Sequence, residues 1–183
     1  ANVDSVMASV LSLVTNGLAR ESHEFEDIDF PAIGEIDADS FNREIQNHNK
    51  REAFYRVGSA HFNQKGYKGT SLDEIASSLD VTKGAFYYHI KNKEELLYQC
   101  FNRTLDLEGG LLSEAGEVGK AGLKKVELSL RYLFHTQFSD QGPLIRYRAL
   151  PSLGQDHRKR VLKATKENSE KLGAYIRQGL IDG

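Results

Sequence analysis

The sequence has almost none of the features that cross-link a chain or anchor it in a membrane. Cys100 is the single cysteine among 183 residues, which rules out an intrachain disulfide framework and a cluster of thiolate metal ligands. Such usage suits a reducing compartment, and we expect a cytoplasmic protein. No apolar run approaches the roughly 18 residues that span a bilayer. The apolar stretch VMASVLSLV lacks the basic residues that open a signal peptide, so we expect no membrane partner.

Residue sets that usually carry catalysis are also missing. The six histidines form no pair four residues apart and no HExxH motif, and the glycines form neither GxxxxGK[ST] nor GxGxxG. No pair of carboxylates stands out from the ordinary charge of helix surfaces. We therefore predict that the protein is not an enzyme and that it uses neither a metal ion nor an organic cofactor.

Charge is unevenly distributed, although the net charge is only −2. Residues 1–49 contain ten acidic and two basic residues, whereas residues 50–183 carry a net charge of +6. Such an asymmetry is found where an acidic tail accompanies a body that binds nucleic acid. The same residues fit a linker of arbitrary composition, and charge alone leaves both explanations open.

Helical periodicity dominates the chain, and no stretch alternates for long enough to form a strand. We predict an all-α fold. Helices are expected over about 3–18, 41–65, 71–79 and 82–90, then from residue 92 to a glycine-containing region at 109–116, and over about 120–139 and 155–180. Residues 143–150 are expected to form a short helix that Pro151 closes. The inward faces of the two long helices include Phe138, Leu162 and Leu180.

Two short helical patterns within residues 71–90 meet at a tight turn. Ser71 begins the first with a capping box, in which its hydroxyl accepts the amide of Glu74 and that carboxylate reaches back. Asp80 lies in the turn, Thr82 caps the second helix, and Asn92 caps the helix after it. The first helix has a continuous apolar inner face, formed by Leu72, Ile75, Ala76 and Leu79.

The second of these helices is unlike a core helix. Either Ala85 or Phe86, together with Ile90, would point inward, and Gly84 with Ala85 gives a small front that lets the backbone approach DNA closely. Hydrogen-bonding side chains cover its outer face: Thr82, Lys83, Tyr87, Tyr88 and His89. A helix-turn-helix places such a helix in the major groove. We predict DNA as the partner, although half-buried packing and a solvated face would also accommodate these tyrosines and lysines.

The stretch GYKGTSLDEIASSLDVTKGAFYYHIKNKEELLYQCF resembles the DNA-binding domain of the tetracycline-repressor-like (TetR) family of transcriptional regulators. It departs from the family at Asp80, where glycine is usual, and at Ile90, where phenylalanine is usual. Aspartate tolerates left-handed backbone conformations better than most residues, so we expect no loss at the turn. The resemblance implies a three-helix helix-turn-helix DNA-binding domain over 41–101, with its motif at 71–90. A helical ligand-binding and dimerisation domain over 102–183 would follow.

The resemblance also implies roles on DNA. Residues at the start of the first motif helix would contact a phosphate, and those at the start of the second would lie nearest the base edges. The aromatic residues after them would divide between bases and phosphates, and two later lysines would meet the DNA backbone. In chain order these are Thr70 and Ser71, then Thr82, Lys83, Gly84 and Ala85, then Tyr87, Tyr88 and His89, and finally Lys91 and Lys93.

In this family the C-terminal helices form a dimer interface and a pocket for a small-molecule inducer. The implied function is a sequence-specific regulator, more often a repressor, whose affinity for a double-stranded operator the inducer controls. The candidate pocket residues are Phe101, Leu105, Tyr132, His135, Phe138, Arg146 and Tyr147. Each of them also fits an ordinary core or surface position.

Both ends of the chain prompt a separate hypothesis. Residues 1–20 resemble the last, dimer-forming helix of such a regulator, and AYIRQGLIDG resembles the segment just before that helix. We expect a piece of a tandem two-unit protein, in which the acidic residues 21–40 are the linker and the C-terminal domain is incomplete. Self-association would then be a homodimer or a tandem pseudo-dimer. The alternative is a single regulator with an additional N-terminal helix.

A different function also stays open. Residues 50–103 hold nine lysines and arginines against six acidic residues, which is a modest excess of positive charge. A helix-turn-helix that has lost DNA binding and serves as an interaction or dimerisation module would have such a balance. Salt dependence separates the two functions, because contacts to several phosphates weaken steeply with added salt.

Overall fold

The computed structural model describes Ser12 and residues 43–182, and within these residues it contains helices and no strand. The prediction of an all-α fold is confirmed. The helices are α1 (Arg43–Gly69), α2 (Leu72–Ser78), α3 (Lys83–His89), α4 (Lys93–Val118), α5 (Gly122–Phe138), a 3₁₀ helix (Tyr147–Ser152) and α6 (Gln155–Asp182). No helix of the described residues is both long and apolar enough to cross a membrane. Apart from Ser12, the predicted helix over 3–18 lies outside the described residues, as do the linker over 21–40 and the tandem arrangement.

Two residues with positive φ, Gly66 and Asp80, lie in or next to the motif. Gly66 has φ 71° and ψ 172°, which interrupts the helical path of α1 near the predicted end. Glycine adopts positive φ at little steric cost because it has no Cβ. Asp80, between α2 and α3, has φ 51°. The left-handed conformation expected of this aspartate is therefore confirmed.

Side chains cap the helices of the motif largely as expected. Thr82 Oγ1 accepts a hydrogen bond from the Ala85 amide at 3.2 Å, and Asn92 Oδ1 accepts one from the Glu95 amide at 2.8 Å. The cap of α2 agrees with half of the predicted box. Ser71 Oγ accepts from the Asp73 amide at 3.2 Å rather than from that of Glu74, whereas the Glu74 carboxylate reaches back to a hydrogen bond with the Ser71 backbone.

Glu74 forms an ion pair with Lys65 of α1, with its Oε2 2.9 Å from Nζ. The hydrogen bond from Lys65 and its charge hold the pKa of Glu74 below its ordinary value.

The described residues divide into two compact units. The first unit comprises 43–107 and 136–166, and the second comprises 108–135 and 167–182. The core of the first unit joins the inner faces of α1, α2, α3 and the start of α4 to the 3₁₀ helix and the start of α6. Its fully buried side chains include Phe62, Ile75, Phe86, Ile90, Leu96, Leu97, Phe101, Leu153 and Val161.

The second unit has its own smaller core, formed by Leu111, Ala115, Leu128 and Tyr132. Hydrogen bonds join its helices at both ends: the Tyr175 hydroxyl donates to the Leu112 carbonyl at 2.8 Å, and the Gly122 amide donates to Asp182 Oδ2 at 2.8 Å. A Cβ on Gly122 would overlap the backbone amide of Gly179. The absence of a side chain at Gly122 thus allows the start of α5 to approach the end of α6.

The predicted helix over 143–150 is correct only in its second half, because residues 147–150 are helical. Residues 143–146 are not helical, and the 3₁₀ helix over Tyr147–Ser152 contains Pro151 rather than ending before it. Side chains accept hydrogen bonds from three consecutive amides of this segment: Gln137 accepts from Leu144, Thr104 accepts from Ile145 and Asn63 accepts from Arg146, at 2.9–3.0 Å. The Asn63 amide nitrogen also donates to the Leu144 carbonyl at 2.8 Å.

Two further expectations need correction, and one open choice is decided. Helix α4 continues through the glycine-containing region at 109–116 and ends at Val118. Of Ala85 and Phe86, Phe86 is the residue that points inward, and Ala85 is exposed. Phe138, Leu162 and Leu180 are exposed rather than buried. Helical periodicity places residues on one face, but it does not say what packs against that face.

Candidate nucleic-acid interface

Helix α3 is anchored by one face and open on the other. Phe86 and Ile90 are 0% and 1% exposed, and the Phe86 ring lies 5.1 Å from that of Phe54 on α1. This anchoring turns Tyr87 and Tyr88 outward, where they are 45% and 85% exposed. Large aromatic side chains at this exposure are the kind of surface that proteins use for contacts with other molecules.

The first turn of α3 offers a small, open front. Thr82, Lys83, Gly84 and Ala85 are all exposed. A Cβ built on Gly84 would meet no atom within 4 Å. Internal packing therefore gives no reason for a glycine in this helix, where glycine costs about 1 kcal/mol relative to alanine. Close approach of an external partner to the backbone does give such a reason.

An aspartate from α2 contacts two polar side chains of α3. Asp73 Oδ2 lies 2.6 Å from Lys83 Nζ, and the Tyr87 hydroxyl makes a long contact of 3.5 Å with Asp73 Oδ1. The hydrogen bond to Asp73 and its charge raise the pKa of Lys83. Asp73 is not among the site residues predicted from the sequence, because helical spacing relates residues within one helix and this contact joins two helices.

His89 lies at the edge of the open face. Its ring centroid is 5.7 Å from that of Phe54 and 4.9 Å from that of Tyr88, with the Tyr88 and His89 rings nearly perpendicular. Burial lowers the pKa of His89, and the positive charges of Arg51 and Lys50 lower it further. The imidazole is therefore neutral near neutral pH, and it offers a hydrogen bond rather than a positive charge.

The structure corrects one expected phosphate contact. Thr70 is only 3% exposed, and its hydroxyl donates to the Gly66 carbonyl at 2.8 Å, so this side chain is not available at the surface. Ser71 is exposed, although its hydroxyl caps α2. Lys93 donates to the Thr70 carbonyl at 3.0 Å, and its Nζ lies 4.7 Å from the centroid of the Tyr67 ring. Lys91 is exposed.

The seven candidate pocket residues fall in different environments. Phe101 and Leu105 are buried in the core of the first unit, and Tyr132 is buried in the core of the second. Phe138, Arg146 and Tyr147 are exposed, whereas His135 is partly buried. The structure brings Phe101 and Tyr147 together, with ring centroids 5.8 Å apart. The Tyr147 hydroxyl also shares a 2.9 Å hydrogen bond with Thr165.

An open cavity of about 340 Å³ in the first unit contains none of these seven residues. It is lined by Phe62, Gln64, Lys65, Gly66, Tyr67, Arg148, Ala149 and Ser152. Within the described part of the chain, no group of three or more histidine, cysteine or acidic side chains is arranged to hold a metal ion. The open face of α3 is therefore the candidate site with the most sharply defined geometry.

Comparison with known proteins finds its matches in the same segment of the chain. Residues 55–100 match the family model described as bacterial regulatory proteins, tetR family. The transposon Tn10 TetC protein of Escherichia coli is 52% identical over 44 residues, covering 24% of this chain and 22% of that protein. IcaR of Staphylococcus epidermidis, a negative transcriptional regulator of the biofilm operon icaADBC, is 45% identical over 49 residues, covering 25% and 26%. The match thus spans about a quarter of these relatives.

A solved structure extends the similarity beyond this segment. AibR, in a crystal structure with isovaleryl coenzyme A and operator DNA, is 23% identical to the chain, with a TM-score of 0.59 and coverage of 69% of each chain. At this identity the likeness establishes the fold: a helix-turn-helix domain with a helical C-terminal part.

Proposed function

Because the chain belongs to the TetR family, we propose that it is a sequence-specific DNA-binding transcriptional regulator. The observation that carries this proposal is the open face of α3, where Tyr87 and Tyr88 are exposed while Phe86 holds the opposite face in the core. A helix-turn-helix uses such a helix to read the major groove, while the preceding helix braces it against the duplex.

The exposed residues have distinct roles in this proposal. The first turn of α3 lies closest to base edges, because Gly84 and Ala85 let its backbone approach the groove. Lys83 and Tyr87 contact bases, and Tyr88 and His89 contact bases or phosphates. Ser71, Lys91 and Lys93 contact the DNA backbone, where cations and helix N-termini are favoured. Thr70 has no part in it, because its side chain is buried.

Regulation by a small molecule and self-association complete the proposal. AibR has been crystallised with an acyl coenzyme A and operator DNA. By this likeness we propose that a small-molecule ligand lowers the operator affinity of the present chain and that it is a repressor. Leu162 and Leu180 of α6 are exposed apolar residues suited to pairing with a second copy. A homodimer would present two α3 helices to half-sites about 34–36 Å apart.

The catalytic alternative has no support in the residues. IcaR is named as a transcriptional regulator, and the sequence holds no recognisable nucleophile, metal or phosphate-loop motif. We therefore propose a non-enzymatic protein of the cytoplasm, with no cofactor.

The proposal is tested by selecting duplexes from a random pool with the purified chain and repeating the selection with two variants. We expect Lys91→Ala to weaken binding to all sequences about equally and to reduce the salt slope by about one unit, because an exposed lysine contacts phosphate. We expect Tyr87→Phe to change the selected sequence, with a loss of about 1–3 kcal/mol on the preferred site.

A second candidate function is an interaction module that has lost DNA binding. The ion pairs of Lys65 and Lys83 with carboxylates favour it, because they reduce the positive charge that the motif offers to phosphates. If the purified chain binds no duplex even at about 50 mM salt, where phosphate contacts are strong, DNA binding fails and the interaction module stands.

A further inference from the structure

We propose that Asp73 sets the sequence preference of α3 by holding Lys83 and Tyr87 in one arrangement before DNA arrives. Asp73 would be a positioning residue, located on α2 and acting through side chains of α3. This inference rests on the proposed DNA-binding function, and it concerns a residue that the sequence analysis left out of the site.

The geometry joins three side chains into one unit. Lys83 and Tyr87 are four residues apart, so they lie on the same face of α3. Asp73 reaches both of them, with Oδ2 at 2.6 Å from Lys83 Nζ and Oδ1 at 3.5 Å from the Tyr87 hydroxyl. One carboxylate therefore spans the first turn of the helix proposed to meet base edges.

Stability does not account for this arrangement. The Lys83 and Asp73 side chains are 69% and 46% exposed, and ion pairs at such exposure contribute little to folding. The ion pair matters more for how Lys83 binds DNA than for folding. An unrestrained lysine has three donors on a flexible stem, and it binds the phosphates of any sequence equally well. A lysine held by a carboxylate loses much of that indiscriminate attraction and keeps a fixed direction.

The tyrosine depends on the same carboxylate. A phenolic hydroxyl both donates and accepts hydrogen bonds, so its rotation decides which base-edge group it meets. When Asp73 accepts the hydroxyl proton, the Tyr87 oxygen faces outward as an acceptor. Donor groups on base edges, such as the amino groups of cytosine or adenine in the major groove, then become its preferred partners.

Glu74 provides a matched control. It is the next residue on the first turn of α2, its side chain is 49% exposed, and it pairs with Lys65 at 2.9 Å. Replacing either carboxylate by its amide removes one negative charge from the same helix end and frees one lysine. Only the Asp73 change releases residues of α3.

The experiment compares Asp73→Asn, Glu74→Gln and the unmodified chain. Each is used to select duplexes from a random pool, and its affinity is then measured on the selected duplex and on a scrambled one. For Asp73→Asn we expect a ratio of specific to non-specific affinity about tenfold lower, the size of one lost base contact, and a changed base at one position of each half-site. For Glu74→Gln we expect the same selected sequence and a ratio within about twofold of the unmodified chain.

A double variant tests whether Asp73 acts through Lys83. In a Lys83→Gln background, Asp73→Asn should change the affinity ratio by much less than it does alone, because the two effects are coupled. Circular dichroism verifies folding, and Asp73→Ser replaces Asp73→Asn if the latter is unfolded.

The outcomes separate the inference from the function on which it rests. If the unmodified chain selects a sequence and Asp73→Asn behaves like Glu74→Gln, the positioning role is wrong and the DNA-binding function stands. If the unmodified chain binds no duplex, both are wrong. A lower affinity ratio for Asp73→Asn alone, which disappears in the Lys83→Gln background, supports the inference.

Discussion

The two faces of α3 differ in what their residues contribute, although they are separated by single positions in the sequence. Phe86 is fully buried against Phe54, whereas its neighbours Tyr87 and Tyr88 are exposed. The inner face therefore accounts for folding, and the outer face is the surface for which we propose DNA recognition. A short helix of seven residues can serve both purposes because its partner helices supply the packing that its own length cannot.

The largest effect should come from exchanging a residue on the inner face. Phe86→Ala should lower the free energy of unfolding by about 3–5 kcal/mol, since it leaves a cavity in the core of the first unit. Tyr88→Ala, on the outer face, should change it by no more than about 0.5 kcal/mol. Urea unfolding of both variants measures the contrast. Equal losses would mean that Tyr88 is packed and that the two faces are not separate.

A smaller effect should appear at the front of the helix, with opposite signs for folding and binding. Gly84→Ala should raise the free energy of unfolding by about 0.5–1 kcal/mol, because alanine favours the helix and its Cβ meets no other atom. DNA affinity should fall if the backbone at Gly84 approaches the groove. Thermal unfolding and duplex titration of the same variant test both parts. A variant that gains stability and keeps full affinity would exclude close approach at this position.

The smallest effect concerns pH and the edge between the two faces. Burial lowers the pKa of His89 below its ordinary value of 6.5, so the unfolded chain binds the proton more readily. The resulting stabilisation is fully present above pH 6.5 and is lost as pH falls below it. When the pH is lowered from about 7.5 to about 5.5, the free energy of unfolding should therefore fall less for His89→Gln than for the unmodified chain. Urea unfolding at several pH values measures this difference. If the free energy of unfolding depends on pH equally in both chains, the imidazole is in water rather than packed against Phe54.

Residues of the motif were predictable because their physical requirements are local. Thr82 and Asn92 cap the helices that follow them, and Asp80 adopts the left-handed conformation of the turn, as the sequence indicates. Ile75 and Ile90 are buried at positions that helical periodicity specifies. Each of these features depends on a few neighbouring residues and on backbone geometry that varies little.

Contacts between distant segments were not predictable in the same way. Thr70 has the sequence context of a phosphate-binding residue, yet its side chain is buried, and Lys93 of α4 donates a hydrogen bond to its carbonyl. The ion pair of Asp73 and Lys83 depends on the angle at which α2 and α3 pack. Exposure of Leu180 depends on what covers α6, and periodicity carries no information about that.

The side chain of Asn63 has a mechanical consequence for the first unit. Its amide nitrogen donates to the Leu144 carbonyl and its oxygen accepts from the Arg146 amide, which imitates the pairing of one β-strand residue with a neighbouring strand. A rotation of α1 about its long axis would break both hydrogen bonds together, so the Asn63 amide resists that rotation. These two bonds therefore fix the position of residues 144–146 against α1, the helix from which Phe54 contacts Phe86 of α3.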